Sequence, residues 1–306
     1  MNVSRDNGFQ LEEFELTHLM LLTSLILMEA DPLPAGKSLV EVRFGDVPLK
    51  LFTYKPKDFS DGPLIMVFHG VLRNAEEYRD DSIAMGDRFR AMIVAPLFDE
   101  STFPKPRYQF GGILQKGKAT PSNEWTGEYV NRIAKEIRRR EGRAEMPLYL
   151  IGHSGGGQFV IRTSAFVGTD AKRIVAANPG THLFPIRTAD FPFGFGGLPD
   201  ELQTDARLKS YLAQPLTIYL GSQDIERDEY LDVTAPADLQ GKTRFERGQN
   251  AYSTGKRIAD ERRWPFGWKL VIAPDIEHDH TKMFNHSRCA EALELAEPGL
   301  PVRVPR

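Results

Sequence analysis

A single cysteine, Cys289, in a chain of 306 residues excludes an intramolecular disulfide and any multi-cysteine metal site. Such a lone thiol is expected to pack as a small hydrophobe. Net charge is also small: 39 Lys plus Arg against 42 Asp plus Glu leave −3, which supplies no broad basic surface for nucleic acid. The one basic run, Arg138-Arg139-Arg140, falls near the end of a helical pattern, where cations complement the helix dipole. Long apolar runs are missing as well. Leu19 to Met28 covers ten residues where a bilayer span needs about 20, so stable membrane insertion is not expected. That stretch, with Ala35-Gly36 after it, is laid out like a signal-peptide core and cleavage site. Its flank is wrong for export, because Asp6, Glu12, Glu13 and Glu15 precede it with only Arg5 as a cation. Residues 1–37 therefore read either as an extra apolar segment of a cytoplasmic protein or as a weak signal for a periplasmic or secreted one. Gly112 to Lys118 lacks what a phosphate-binding loop needs, since Ala119 replaces the Ser or Thr that would meet magnesium and Pro121 interrupts the helix. No cofactor and no metal is expected.

With 41% hydrophobic residues the remainder can bury one large α/β core over residues 38–306. Val40 to Phe44 and Pro48 to Tyr54 alternate apolar and polar residues around Gly45-Asp46, which predicts an antiparallel hairpin. Continuous apolar runs follow at 63–68, 91–96 and 146–151, as expected of strands covered on both faces. Further strands are predicted at 173–177, 216–220 and 268–272. Helical patterns over 75–90, around Tyr129, Ile133 and Ile137, after Gln158, over 247–262 and over 281–295 separate them. Such alternation implies a mainly parallel sheet with helices on both faces. Between Thr181 and Ala213 the pattern lapses into Pro, Gly and aromatic residues, which predicts a lid-like insertion; Phe193 and Phe195 within it, together with Tyr78, are candidate substrate-pocket walls.

Gly152-His153-Ser154-Gly155-Gly156 stands between a strand and a helix. A serine at the apex of so abrupt a turn projects from the sheet edge, and the glycines remove side chains that would collide, so Ser154 is a candidate nucleophile. A serine hydroxyl needs a base. His278 and His280 both follow the last strand at the same edge. A carboxylate must hold the imidazole tautomer, and Asp224 ends the strand before, whereas Asp228 and Asp232 lie further along. Donors for a developing oxyanion are expected from the backbone N–H of Gly155 and of Val71 or Leu72, after His69-Gly70. The order Ser, Asp, His is that of the triad on an α/β-hydrolase sheet.

Taken together, these residues resemble an α/β-hydrolase over roughly residues 38 to 298. Val67 to Tyr78 and Gly152 to Phe159 further resemble the esterase branch related to poly(3-hydroxybutyrate) depolymerases and feruloyl esterases. Relatives typically carry Gly-x-Gly-His before the segment equivalent to Asp279 to Phe284, which aligns His278 with their base; here Asp275-Ile276-Glu277 stands in place of the glycines. The resemblance implies a serine hydrolase that cleaves small-molecule or polymeric carboxylic esters through an acyl-enzyme. A peptidase or amidase with the same machinery, and a non-catalytic binding module on the same fold, are the alternatives.

Overall fold

The computed structural model describes Met1 and residues 31–296, so the segment over which the apolar-helix and signal readings differ lies almost wholly outside the described residues. Among the described residues ten strands run in chain order as β1 Gly36–Phe44, β2 Val47–Lys55, β3 Leu64–Phe68, β4 Met92–Pro96, β5 Leu114–Gln115, β6 Lys118–Ala119, β7 Leu148–His153, β8 Arg173–Ala177, β9 Leu216–Gly221 and β10 Lys269–Ala273. The helices are α1 Ala75–Asp81, α2 Ile83–Phe89, α3 Lys105–Tyr108, α4 Glu128–Arg140, α5 Gly155–Phe166, α6 Asp205–Leu212, α7 Ala235–Asp238, α8 Arg244–Arg262, α9 His280–Asn285 and α10 Arg288–Leu293. Eight strands form one sheet in the order β1-β2-β4-β3-β7-β8-β9-β10, while β5 and β6 make a separate short hairpin. The pairs β1–β2 and β2–β4 are antiparallel and the rest of the large sheet is parallel, which is the expected α/β architecture with its N-terminal hairpin.

Each central strand feeds two cores, because successive side chains point to opposite faces. Leu64, Met66 and Phe68 of β3 enter one apolar cluster with residues of α4, α5, α6 and α8. Ile65 and Val67 enter the other, with residues of α1, α2, α9 and α10. Cys289 is buried there, 3.8 Å from the Met85 sulfur, and burial pushes its thiol up to about 12.

Two predicted helices are broken. The helix over 75–90 divides at Ser82, whose hydroxyl donates to the Tyr78 carbonyl one turn back at 2.7 Å; that bond competes with the helix ladder and bends it. The C-terminal helix divides at His286 and Ser287. The 181–213 segment, expected to be a lid-like insertion, packs into the body. Phe195 is fully buried, with its ring 5.5 Å from Phe166 and 5.8 Å from Tyr211. The buried Arg162 guanidinium ties the segment down by donating to the carbonyls of Thr181 at 3.0 Å and Pro192 at 2.7 Å. Arg138 to Arg140 do end α4, and Arg138 binds the Met146 carbonyl and Asp170.

Sheet register aligns the strand ends that carry the site: Phe68 faces Gly152, His153 faces Ala177, and Gly221 faces Ala273. The loops after β3, β7, β8, β9 and β10 therefore open at one carboxyl edge.

Candidate active site

Ser154 sits between β7 and α5 with φ 55° and ψ −115°, outside the regions open to an ordinary L-residue. Such a conformation costs on the order of 1–3 kcal/mol and persists only where the surroundings impose it. Gly156 is part of what imposes it: a Cβ there would lie 2.1 Å from the Phe68 carbonyl oxygen, so α5 starts almost in backbone contact with β3. The Ser154 N–H donates to the Ala177 carbonyl at 2.9 Å, fixing the turn to β8 as well.

Ser154 lines a cleft of about 920 Å³ together with Tyr78, His153, Asp224, His278 and His280. His278 Nδ1 lies 2.7 Å from Asp224 Oδ2, and Asp224 is almost fully buried. His280 has a different partner. Its Nε2 is 2.8 Å from Asp81 Oδ2, off the angle of a directed hydrogen bond, and its ring stacks on Tyr78 at 4.0 Å and 4°. Of the two histidines left open by the sequence, only His278 meets Asp224. Glu77, Asp81 and His280 bring three candidate ligand atoms within 4.8 Å of one another, although Asp81 Oδ2 already accepts from the Thr281 hydroxyl at 2.8 Å.

Val71 and Leu72 border the cleft, and a Cβ built on Gly155 would lie 3.3 Å from the Val71 nitrogen, so the two backbone segments named for an oxyanion are adjacent. Their loop is held from below. His69 is buried, accepts from the Phe98 N–H through Nε2 at 3.1 Å and donates from Nδ1 to the Gly70 carbonyl at 2.9 Å. Burial lowers its pKa to about 3, so it stays neutral in the fold and keeps that tautomer. Tyr78 lines the cleft, whereas Phe193 and Phe195, expected there as walls, do not. Neither borders the cleft: Phe195 fills the core, and the backbone of Phe193 is bound by Phe184 and Gln240.

Three residues of the site carry no local sequence signal. Asn178, fully buried at φ 45° just after β8, accepts the Gly221 N–H at 2.8 Å through its side-chain oxygen and donates to the Glu277 carbonyl at 3.2 Å. It thereby ties the Asp224 strand to the His278 loop. Arg244, buried at the start of α8, forks onto Asp228 at 2.7 and 2.8 Å and places Nη1 3.5 Å from Asp224 Oδ1. Burial raises the Asp228 carboxyl, but the Arg244 guanidinium outweighs it and holds the group below its usual range. His153, the variable position of the Ser154 turn, has its ring 4.5 Å from His278. Burial first, and then the neighbouring His278, His280 and Arg244, keep it far below the ordinary histidine pKa.

The departure at Asp275-Ile276-Glu277 is accommodated without glycine. Asp275 takes φ 58° and its N–H donates to Ser222 Oγ at 2.9 Å, while the room comes from Gly221, where a Cβ would be 2.4 Å from the Ile276 carbonyl oxygen.

A mainly parallel sheet of this order with an antiparallel N-terminal hairpin, a serine at the strand-to-helix apex after β7, and a carboxylate and a histidine on the loops after β9 and β10 at the same edge, is that of an α/β hydrolase. No family model and no curated protein matches the sequence. Among solved structures the chain is similar to LpqC, a poly(3-hydroxybutyrate) depolymerase from Bordetella parapertussis, at 34% identity over 86% of this chain and 96% of that one, with a TM-score of 0.77. It is also similar to poly(aspartic acid) hydrolase-1 from Sphingomonas sp. KT-1, at 32% identity over 86% and 99%, with a TM-score of 0.78. The chain belongs to the α/β-hydrolase superfamily and is a hydrolase.

Proposed function

We propose that the protein hydrolyses carboxylic esters through Ser154. The Ser154 hydroxyl attacks the ester carbonyl while His278 Nε2 takes its proton; Asp224 accepts the Nδ1–H bond and stabilises the imidazolium. The N–H groups of Gly155 and of Val71 or Leu72 receive the oxyanion. Collapse expels the alcohol, which His278 protonates, and a water activated by the same imidazole then releases the acid. The observation that carries this reading is the 2.7 Å bond between His278 and a buried Asp224, made beside a serine held at φ 55°. A binding module on this fold would lack one of these groups. An amidase reading draws on the likeness to a protein named for poly(aspartic acid) hydrolysis, because ester and amide cleavage share this machinery.

Hydrolysis of p-nitrophenyl esters from acetate to octanoate, with p-nitroanilides beside them, tests the proposal. Ser154→Ala and His278→Ala are expected to lower kcat by about 10⁴–10⁶-fold with the fold intact, and His280→Ala by less than about tenfold. Equal losses for both histidine variants would refute the assignment of the base, and turnover of anilides alone would replace esterase by amidase.

A further inference from the structure

The walls of the Ser154 cleft carry carboxylates from three separate segments, Glu77 on α1, Glu226, Asp228 and Glu229 after β9, and Glu277 and Asp279 beside His278, while among the described residues no lysine or arginine borders it. Some of that charge is compensated from outside. Arg244 takes Asp228, and Lys282 stands 3.5 Å from Asp279. Glu77, Glu226, Glu229 and Glu277 are exposed, and among the described residues none of them forms an ion pair; Arg227, next to Glu226, is turned away to Asp238 at 3.1 Å, and Arg79, near Glu77, is taken by Glu76 and Asp80. Beside them Tyr230, half exposed at 52%, presents an aromatic side chain to the same cleft.

Like charges in a cleft with low-dielectric walls reinforce one another, and at physiological salt their field reaches about 8 Å. A cation entering it is attracted by the carboxylates and can also lie over the Tyr230 ring. An anion meets repulsion that no basic side chain among the described wall residues offsets. Resting on the esterase reading above, we propose that this cleft selects ester substrates that carry a positive charge, such as an ammonium group on the acyl or alcohol portion, and disfavours polyanions. The preference acts on substrate capture and therefore appears in KM.

Isosteric esters that differ only in charge test it on the whole protein. The p-nitrophenyl esters of 5-(trimethylammonio)pentanoic acid and 6,6-dimethylheptanoic acid have nearly the same shape, and acetylthiocholine with 3,3-dimethylbutyl thioacetate supplies the pair charged on the alcohol side. We expect at least one pair to show kcat/KM about tenfold or more higher for the cation at low salt, carried by KM, with the ratio falling toward one in 1 M NaCl as the Debye length shrinks to about 3 Å. The p-nitrophenyl monoester of adipic acid should fall below the neutral ester. In the Glu226→Gln, Glu229→Gln, Glu277→Gln triple variant the cation-to-neutral ratio should drop several-fold. Because the ratio is the readout, a uniform loss of activity cancels, and Glu229→Gln alone serves if the triple variant does not fold. Turnover of neutral esters with ratios near one, or with ratios that salt leaves unchanged, overturns the inference and leaves the esterase reading standing. No turnover of any ester overturns both.

Discussion

Replacing Asn178 by alanine removes one side chain that joins three loops. Its oxygen is the acceptor of the buried Gly221 N–H and its amide the donor to the Glu277 carbonyl. Leaving one buried backbone N–H without a partner costs about 1–3 kcal/mol. Alanine at φ 45° adds about 1 kcal/mol, because asparagine tolerates the left-handed region and alanine does not. A total of ~2–4 kcal/mol, at about 2 cal/mol/K of unfolding entropy per residue, lowers Tm by roughly 3–6 °C for a chain of this length. The larger effect should fall on turnover, since the lost tether sits one residue from His278. A displacement of the base by about 1 Å is expected to cost on the order of 100-fold in kcat with little change in KM. Two further variants separate the contributions. Asn178→Gly lifts the backbone cost and should recover about 1 kcal/mol but no activity. Asn178→Asp keeps the acceptor for Gly221 but buries a carboxylate whose other oxygen faces the Glu277 carbonyl, so its kcat should stay low as well. Thermal melts and ester kinetics on the same preparations decide. A stability loss of the predicted size with unchanged kcat would show that the His278 loop keeps its place without this tether, and the reasoning would fail.

Gly156→Ala, whose Cβ would sit 2.1 Å from the Phe68 carbonyl oxygen, must push α5 off β3; we expect more than ~3 kcal/mol of destabilisation in denaturant titration, and activity lost with it. Burial drives His69 and His182 each to about 3 and holds His153 well below its ordinary value. All three are neutral when folded and protonate on unfolding below about pH 6.5, so their contribution is present above that value and is lost as pH falls toward 3. Their joint slope is up to about 4 kcal/mol per pH unit, and removing one by His182→Asn should reduce it by about 1.4. A slope unchanged in that variant would mean that His182 is not held neutral.

The strands, the Ser154 turn and the positions of Asp224 and His278 were legible in the sequence because each is announced by its immediate neighbours: an apolar run, a pair of glycines, a strand end. Asn178 and Arg244 were not, since what they bind lies 43 and 99 residues away for the one and 16 residues away, on another element, for the other. No local pattern distinguishes them from an ordinary loop asparagine or a surface arginine. Phe193 and Phe195 were misplaced for the opposite reason. Their Pro- and Gly-rich surroundings have the composition of a surface lid, but Arg162, buried beneath them, satisfies the irregular backbone and lets Phe195 join the core. The breaks at Ser82 and at His286 fall inside continuous helical periodicity, which reports the face a residue occupies and not the continuity of the axis.

Where relatives typically carry glycines, the turn into His278 here carries Asp275, Ile276 and Glu277, with Asp275 at φ 58° anchored on Ser222. Glycine is electrically silent, so a glycine-bearing turn can be retuned in shape without altering what the cleft attracts. In this chain the two properties are written in the same residues. A change that relaxes the bend also alters the charge at the entrance, and a change of charge risks moving the imidazole. Adaptation to a new substrate would therefore have to proceed by compensated, simultaneous replacements in 275–277 or shift to the loop after β9, which carries acidic residues without carrying His278.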